Sequence, residues 1–336
     1  MVTKKSLVMA SIGAALVAIA IGLFFMFWRG NAAPPSGFDL EGHRGTRGHA
    51  PENTLAAFRK GMEIGVTTLE MDLALTKDGT LVISHNPELN PDITRGPDGK
   101  FLTATGPAIH DLTLAQLQTY DIGRINPDRR YGREFASQQA SDGERFPTLQ
   151  QVIDLVRDKS VRLDMEIKTD PTRPQLTADV PTFAKAVVDL LRREKMTDRV
   201  TVESFDFRAL MEVKRLDPAL ATSCLTLERG QGDTVQAGRP GASPWLGGLD
   251  IDDFDGNLPA LVKKAGCEIW SPFFRDASDA RIKAAHALGL KVVVWTVNDP
   301  GDIATALDRG VDGIISDYPD RVREAMKAKG MSLPGA

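Results

Sequence analysis

The sequence predicts an α/β fold, a (β/α)8 TIM barrel with loop insertions at its C-terminal face, preceded by one N-terminal transmembrane or signal helix. Strand-like and helix-like segments alternate from residue 38 almost to the C-terminus, and strict alternation favours parallel strands. Eight of the strands are each separated from the next by a helix, which is the number that closes this barrel. The 336 residues exceed the roughly 250 that such a barrel needs.

Residues 1–30 are predicted to be a signal anchor or a signal peptide. Lys4 and Lys5 precede an uncharged stretch at 6–28, which meets the requirement of about 20 apolar residues for a membrane span. The stretch is longer than the roughly 7–15-residue core of a cleaved signal. Because the lysines stay in the cytoplasm, the rest of the chain is expected outside it, on the periplasmic side. It is anchored to the inner membrane, or secreted if cleavage follows Ala33.

Residues 31–37 form a predicted linker, and 38–325 form the barrel domain. Its strands are predicted at 38–44, 67–75, 161–168, 200–204, 219–227, 268–272, 291–296 and 312–316, and its helices at 53–64, 149–156, 182–193, 209–216, 258–265, 277–288 and 300–309. A further strand at 80–85 follows the turn Asp78-Gly79. Asp-Gly between two apolar strands is a hairpin signal, so this strand is expected to run antiparallel and to lie outside the barrel.

Two long polar segments interrupt the alternation. The insertion 86–147 is rich in Asn, Asp, Pro and Gly, with one short helix predicted near 114–119, and the segment 228–257 is rich in Gly. Loops of this length in a compact domain usually cover a site or are disordered. Both leave from the C-terminal ends of strands, where barrels of this kind carry their chemistry. A functional site is therefore expected at this end.

Composition excludes several classes of protein. The formal charge is −4 and no block of like charge occurs, so nothing indicates a nucleic-acid-binding surface. The two cysteines, Cys224 and Cys267, are too few for a disulfide-built scaffold and have the wrong pattern for a zinc site. We expect two buried thiols, with a single disulfide as the alternative for an exported domain.

Charged residues follow one face of the second and third predicted barrel strands. Residues two apart in a strand share a face, which groups Glu70 with Asp72, and Asp164 with Glu166 and Lys168, opposite apolar side chains. Buried carboxylates cost several kcal/mol each unless they are paired or bind a metal. Oxygen ligands suit Mg²⁺ or Ca²⁺. An internal Glu–Lys ion-pair network without a metal is the alternative.

A turn rich in histidine, arginine and glycine follows the first predicted strand. His43 and Arg44 end this strand, and Gly45 permits a tight loop. An arginine fork matches two oxygens of a phosphate. His85 ends the predicted antiparallel strand, which can fold back over the barrel mouth, so both histidines are expected near the carboxylates.

An ordered series of motifs runs through the chain. It comprises His-Arg-Gly at 43–45, Pro-Glu-Asn-Thr at 51–54, Glu-Met-Asp at 70–72, Thr-Lys-Asp-Gly at 76–79, a histidine at 85, Met-Glu-Ile-Lys at 165–168, Ser-Phe-Asp at 204–206, Trp-Thr-Val-Asn at 295–298 and Gly-Val-Asp-Gly-Ile-Ile-Ser-Asp-Tyr-Pro at 310–319. In this order and spacing the series resembles the glycerophosphodiester phosphodiesterase family over residues 40–322.

The resemblance implies an enzyme that cleaves a glycerophosphodiester into sn-glycerol 3-phosphate and an alcohol, with a bound Ca²⁺ or Mg²⁺. The roles it implies are metal ligation by Glu70, Asp72 and Glu166, acid–base catalysis by His43 and His85, and substrate or phosphate binding by Arg44, Glu52, Lys168 and Trp295. Within the last group, Glu52 either binds a substrate hydroxyl or braces the loop, and Trp295 either walls the pocket or belongs to the core. Which histidine is the acid stays open, as does the choice between direct attack by water and a cyclic phosphate.

The chain departs from the family pattern at two positions, with Asn86 where an Asp is usual and Asp164 where an Asn is common. Three further histidines match no catalytic role. His49 is expected to be solvated or structural, and His110 and His286 are expected at the surface or with satisfied hydrogen bonds.

Two rival functions remain at this stage. A phospholipase of the sphingomyelinase D or phosphoinositide-cleaving kind would use a similar barrel, but it needs an apolar rim for a lipid, and the insertion 86–147 is polar. A non-catalytic binding module of the cell envelope would be expected to have lost a metal ligand or a histidine, and all are present.

Overall fold

Eight parallel strands close into a barrel, which confirms the predicted architecture. The structure is a computed structural model that describes residues 37–333. Its strands are β1 (Asp39–Gly42), β2 (Thr68–Leu75), β3 (Leu81–Ile83), β4 (Arg162–Ile167), β5 (Val200–Ser204), β6 (Ala221–Thr226), β7 (Ile269–Pro272), β8 (Lys291–Val294) and β9 (Gly313–Ser316). They are ordered β1-β9-β8-β7-β6-β5-β4-β2, and β1 also pairs with β2, which closes the ring.

Strand β3 is the predicted hairpin arm outside the ring. It runs antiparallel to the second half of β2, with Leu73 opposite Ile83 and Leu75 opposite Leu81. Gly79 in the connecting turn has φ +76°, a conformation that glycine adopts without steric cost. The hairpin carries the chain back over the barrel mouth, so His85 lies two residues beyond the end of β3.

Helices surround the ring. They are α1 (Leu55–Ile64), α2 (Leu114–Leu117), α3 (Arg130–Glu134), α4 (Leu149–Val156), α5 (Val180–Arg193), α6 (Phe207–Leu216), α7 (Leu258–Ala265), α8 (Asp279–Ala287), α9 (Pro300–Asp308) and α10 (Pro319–Ala328). The sequence analysis missed α10, which buries Val322 and Met326 at the spacing of one helical turn. The predicted domain end at residue 325 falls inside this helix.

The two faces of each strand bury different kinds of side chain. Outward-facing residues such as Leu69 and Met165 form a large apolar core with the helices. Inside the ring, one half is apolar and contains Ile269, Val293 and Ile315. The other half, around β1, β2, β4 and β5, is lined by buried carboxylates. One half of the barrel interior is therefore acidic, and the other half is apolar.

The insertion 86–147 is ordered and packs on the hairpin. Its residues Leu89, Ile109, Leu117 and Phe146 form a separate apolar cluster with Val82 of β3. A second small cluster, built on Ile93, Ile125 and Phe135, lies farther along the same segment. The insertion thus has its own anchoring cores and covers part of the barrel mouth.

No helix within residues 37–333 is both long and apolar enough to cross a membrane. The predicted N-terminal segment 1–30 lies outside the residues that the structure describes, as does nearly all of the linker 31–37.

The two cysteines form a disulfide. Cys224 of β6 and Cys267, two residues before β7, have Cα atoms 6.0 Å apart and their sulfurs are bonded. Both face the helix layer and are almost fully buried. The preferred prediction of two free buried thiols is therefore wrong, and the alternative of a single disulfide holds. Adjacent parallel strands bring the two positions together across 43 residues of sequence.

We expect the Cys224–Cys267 bond to stabilise the fold by about 4 kcal/mol in the chain-entropy description, because it closes a loop of 43 residues. Urea unfolding should show this loss in the Cys224→Ser/Cys267→Ser variant under non-reducing conditions. Wild type and variant should converge when reductant is present, which is the matched control. Two titratable thiols in denatured, unreduced protein would contradict the pairing.

Candidate active site

Seven of the nine predicted site residues line one cavity at the C-terminal mouth of the barrel. The cavity has a volume of about 190 Å³, and the seven are His43, Arg44, Glu70, His85, Glu166, Lys168 and Trp295. The other two predicted residues, Glu52 and Asp72, lie behind this wall. The hairpin and the ring thus bring together side chains that are dispersed over most of the sequence.

The turn after β1 positions His43 and Arg44. The His43 backbone N–H donates to Ser316 O of β9, and Arg44 takes a left-handed conformation with φ +50°. The Arg44 backbone N–H donates to Glu70 Oε2 at 2.6 Å. A Cβ at Gly45 would lie 2.8 Å from the backbone carbon of Ala57 in α1, so only glycine lets the turn pass under that helix.

Asp317 orients the ring of His43. Its Oδ1 lies 2.6 Å from His43 Nδ1 and accepts from Arg47 Nε at 2.6 Å. Its Oδ2 accepts from Asn298 Nδ2 at 2.6 Å. Burial would raise the pKa of Asp317, but His43 and Arg47 outweigh this and hold it below its ordinary value. An ionised Asp317 assigns the proton to Nδ1, which leaves Nε2 as the acceptor on the other side of the ring.

The sequence analysis did not assign Asp317 a role, although this residue belongs to the last motif of the series. The position of Asp317 directly after β9 could have indicated a role at the site, because β9 pairs with β1 in the register that sets Gly42 opposite Ser316. That register sets the residues following both strands side by side.

Both site histidines have lowered pKa values. Burial lowers the pKa of His43, Asp317 opposes this, and Arg47 and Arg44 lower it further. Burial lowers the pKa of His85 well below its ordinary value, and the charges of Arg44 and Lys168 add to the effect. The neutral form of each ring is therefore favoured in the protein without substrate.

His85 differs from His43 in having no hydrogen-bond partner among residues 37–333. The departure Asn86 does not supply one, because its side-chain Oδ1 accepts from Asn90 Nδ2 at 3.1 Å. The ring of His85 is thus held by packing and lacks an orienting carboxylate.

Glu52 braces Arg44 from behind. Its Oε1 accepts from Arg44 Nη1 at 2.8 Å, and its other oxygen accepts from the hydroxyl of Tyr131. Tyr131 belongs to α3 of the insertion, and sequence analysis did not identify it because nothing local connects it with Glu52, 79 positions away. Of the two roles predicted for Glu52, this position supports bracing of the loop.

The predicted metal ligands lie on neighbouring strands. In the β2–β4 register Glu70 is opposite Asp164 and Asp72 is opposite Glu166. Asp72 Oδ2 accepts from Asn53 Nδ2 at 2.9 Å. Lys168 Nζ lies 2.9 Å from both oxygens of Glu166 and 3.5 Å from Asp72 Oδ1, so its ammonium sits between the two carboxylates.

These carboxylates carry more negative charge than the site neutralises. Burial raises the pKa of Glu70 well above its ordinary value, and Asp72 adds to this. Burial raises the pKa of Glu166 to about 7 despite the neighbouring Lys168. Glu203 of β5 lines the same cavity, and its buried Oε2 has no hydrogen-bond partner within residues 37–333. Hard oxygen donors with uncompensated charge are the chemistry that Mg²⁺ or Ca²⁺ binds.

A closed metal centre is not preassembled. Among residues 37–333, no three His, Cys, Asp or Glu side chains meet closely enough to hold an ion. Both oxygens of Glu166 face Lys168, so the Glu–Lys ion pair predicted as the alternative is the arrangement in this structure. A cation at Glu166 would share these two oxygens with Lys168, since an ionised carboxylate offers about four acceptor sites.

Two further interior acids extend the cluster. Sequence analysis missed Glu203, whose signal is its alternation with Val202 along β5. Asp164, the second departure from the family pattern, lies one layer deeper than Glu166, and burial together with Asp39 raises its pKa. This shift works against the negative charge that Asp164 would add to the cluster.

The structure also locates Trp295 and the three histidines without a predicted catalytic role. Trp295 walls the cavity, donates through Nε1 to Ser271 O at 2.9 Å and packs edge-on against Phe205. The three other histidines have partners away from the cavity: Asp320 for His49, Gln175 O for His110 and Asp312 for His286.

Comparison with known proteins identifies a single family. The model of the glycerophosphoryl diester phosphodiesterase family matches residues 43–321. A glycerophosphodiester phosphodiesterase of Caldanaerobacter subterraneus subsp. tengcongensis is 28% identical over 288 residues, covering 86% of this chain and 97% of that one.

Solved structures share the fold. A candidate glycerophosphoryl diester phosphodiesterase from Silicibacter pomeroyi DSS-3 superposes with a TM-score of 0.78 at 35% identity, covering 89% of this chain and 96% of that chain. A phosphodiesterase from Oleispira antarctica, solved with the product sn-glycerol-3-phosphate, has a TM-score of 0.64 at 23% identity, covering 87% and 97%.

Because the charge of Asp317 opposes the effect of burial on His43, we expect Asp317→Asn to lower the pKa of His43 further. Titration of the histidine resonances by NMR measures this directly. The resonances of His286, which pairs with Asp312 far from the site, serve as the internal control. An unchanged or raised pKa of His43 would contradict the assigned contact.

Proposed function

Because the chain belongs to the glycerophosphoryl diester phosphodiesterase family and is an enzyme of that class, we propose that it hydrolyses glycerophosphodiesters to sn-glycerol 3-phosphate and an alcohol. The observation that carries the proposal is the convergence of two histidines, Arg44 and three carboxylates of neighbouring strands on one small cavity. The product found in the Oleispira antarctica phosphodiesterase is of the same kind.

A divalent cation, Ca²⁺ or Mg²⁺, is the proposed cofactor. Glu70, Asp72 and Glu166 would hold it, and Glu203 lines the cavity together with Glu70 and Glu166. The raised pKa values of Glu70 and Glu166 support the assignment, since buried acids whose charge is not fully compensated take up protons instead, and Lys168 alone does not compensate the burial of Glu166. When bound, such an ion neutralises charge on the phosphoryl oxygens.

His43 is the proposed general base. Asp317 accepts from its Nδ1, so Nε2 is free to take a proton from the attacking hydroxyl, whether this belongs to water or to the glycerol of the substrate. The lowered pKa keeps the ring in the neutral form that a base needs. The buried carboxylate also stabilises the imidazolium formed in that step.

His85 is then the general acid that protonates the departing alkoxide. Its pKa is lowered by burial, Arg44 and Lys168, and the negative charge of a bound phosphodiester opposes the effect of those two cations. Substrate binding therefore favours the protonated ring. Arg44, braced by Glu52, and Lys168 provide the positive charge that holds the phosphate.

The lipid-cleaving alternative is disfavoured by the surface. Within residues 37–333 the large exposed hydrophobic residues are Leu288 and Leu333. Both follow helices that end at the opposite side of the barrel, away from the mouth. A lipid substrate needs an apolar rim, so a deacylated, water-soluble diester is the better fit.

We further propose that the barrel works outside the cytoplasm, carried on the N-terminal segment 1–30. The Cys224–Cys267 disulfide supports this location, because disulfides persist in oxidising compartments and are rare in the cytosol.

Removal of the metal is expected to abolish activity. A chelator should stop the hydrolysis of glycerophosphocholine. Each of the substitutions Glu70→Gln, Asp72→Asn and Glu166→Gln should lower kcat/KM by at least about 100-fold, because the cation supplies several kcal/mol of charge stabilisation. Excess cation should restore part of the activity.

Calorimetric titration of Mg²⁺ and Ca²⁺ gives a second readout. Glu63→Gln, an exposed acid of α1, is the control, and a wild-type rate unaffected by chelator would refute the metal.

The two histidines are expected to differ in their response to the leaving group. His43→Ala and His85→Ala should each reduce kcat on the natural diester by roughly 10²–10⁴-fold, the usual scale for one acid–base group. A nitrophenyl diester releases its alcohol without protonation, so it should rescue His85→Ala and leave His43→Ala poor. The opposite pattern would reverse the roles, and near-normal activity of either variant on the natural diester would remove that histidine from the mechanism.

A further inference from the structure

A second cavity of about 200 Å³ adjoins the one described above. The two share a wall made of His85, Glu166, Lys168 and Phe205. The second cavity is otherwise lined by loop residues that no motif accounts for, principally Asn86, Asp170, Arg173, Thr177 and Trp245.

We propose that this second cavity, here called the alcohol pocket, binds the alcohol half of the diester and selects uncharged, hydroxyl-rich alcohols such as glycerol or inositol. The inference rests on the proposed hydrolysis and adds the class of leaving group. A phosphate at the shared wall, between Lys168 and His85, extends one ester arm into each cavity.

The direction of the reaction decides which arm enters which cavity. His43 lines the first cavity and is absent from the walls of the second, whereas His85 lines both. In a phosphoryl displacement the attacking and leaving oxygens lie roughly in line on opposite sides of phosphorus. The nucleophile activated by His43 is therefore on the side of the first cavity, and the alcohol departs past His85 into the alcohol pocket.

The walls of the alcohol pocket provide hydrogen-bonding groups without partners. Arg173 donates through Nε to Asp170 Oδ2 at 2.9 Å, and its terminal nitrogens have no other partner within residues 37–333. The indole N–H of Trp245 and the hydroxyl of Thr177 likewise have none in that part of the chain. The rings of Trp245 and Phe205 supply apolar faces for C–H groups. Hydrogen-bond donors for hydroxyl groups, set beside aromatic faces for C–H groups, match the two kinds of surface that a polyol presents.

The charges of the pocket disfavour a cationic alcohol such as choline. Each carboxylate already has a cation, since Glu166 contacts Lys168 at 2.9 Å and Asp170 contacts Arg173. A quaternary ammonium would need aromatic faces, and of the two in the pocket that of Phe205 is already approached by Lys168 Nζ at 6.0 Å from the ring centre, which leaves the ring of Trp245. A bound ammonium would face two positive side chains and no uncompensated carboxylate.

The test compares four diesters that share the glycerophosphate half: glycerophosphoinositol, glycerophosphoglycerol, glycerophosphocholine and glycerophosphomethanol. The last carries no headgroup and reports the chemistry alone. We expect wild-type kcat/KM to be higher for both polyol diesters than for the choline diester. Arg173→Met should lower the ratio of the inositol to the methanol diester by about tenfold, the scale of one lost charged hydrogen bond. Trp245→Leu should lower the same ratio by about fivefold, the scale of one lost neutral hydrogen bond.

Arg215→Met is the matched control, because Arg215 also pairs with an acid three residues earlier, Glu212, at an exposed site on α6. Its inositol-to-methanol ratio should equal that of wild type. Equal losses on all four diesters in the Arg173 and Trp245 variants, or a wild-type preference for choline, would overturn the alcohol pocket while leaving the hydrolysis intact. Wild-type protein inactive on every diester would refute the proposed function itself.

Discussion

The parallel pairing of β2 with β4 inside a closed ring is the constraint on which the site depends. Closure sends alternate residues of each strand inward, and the register sets Asp72 beside Glu166 and Glu70 beside Asp164. Such crowding of buried acids costs several kcal/mol per unpaired charge. Arg44 and Lys168 compensate only part of it, and raised pKa values show the remainder. The buried acids are confined to one half of the barrel interior, and the other half is packed with aliphatic side chains.

Most of the ring was predictable from the sequence because strand and helix periodicities are local. About ten consecutive residues are enough to identify the charged face of β2, the Asp-Gly hairpin or the turn at His43. The partners of these groups cannot be identified from such local stretches. Asp317 and Tyr131 act through contacts across 274 and 79 positions, and the disulfide depends on adjacent strands whose cysteines have no motif spacing. Helix α10 was missed because its apolar residues are few and its polar face dominates.

The loops at the barrel mouth have two different roles. The insertion 86–147 is held by its own apolar clusters and contributes Tyr131 to the support of Arg44, so a polar, glycine-rich segment acts as rigid scaffolding. The segments after β4 and β6 contribute Arg173 and Trp245, which lie away from the reacting groups. In the proposed mechanism the metal-binding carboxylates lie on strands, the histidines and Arg44 lie just after strands, and the residues special to the alcohol pocket lie on longer loops. Changes in those longer loops would alter specificity without disturbing the buried carboxylates.

The contact between His43 and Asp317 also has a consequence for synthesis on the ribosome. Both site histidines and the carboxylates of β2 lie in the first third of the chain, yet Asp317, which orients the ring of His43, follows β9. Asp317 reaches His43 only when β9 inserts between β8 and β1 and seals the ring. A polypeptide that still lacks β9 therefore cannot make the His43–Asp317 contact, so the proposed base is aligned only after the ring has closed.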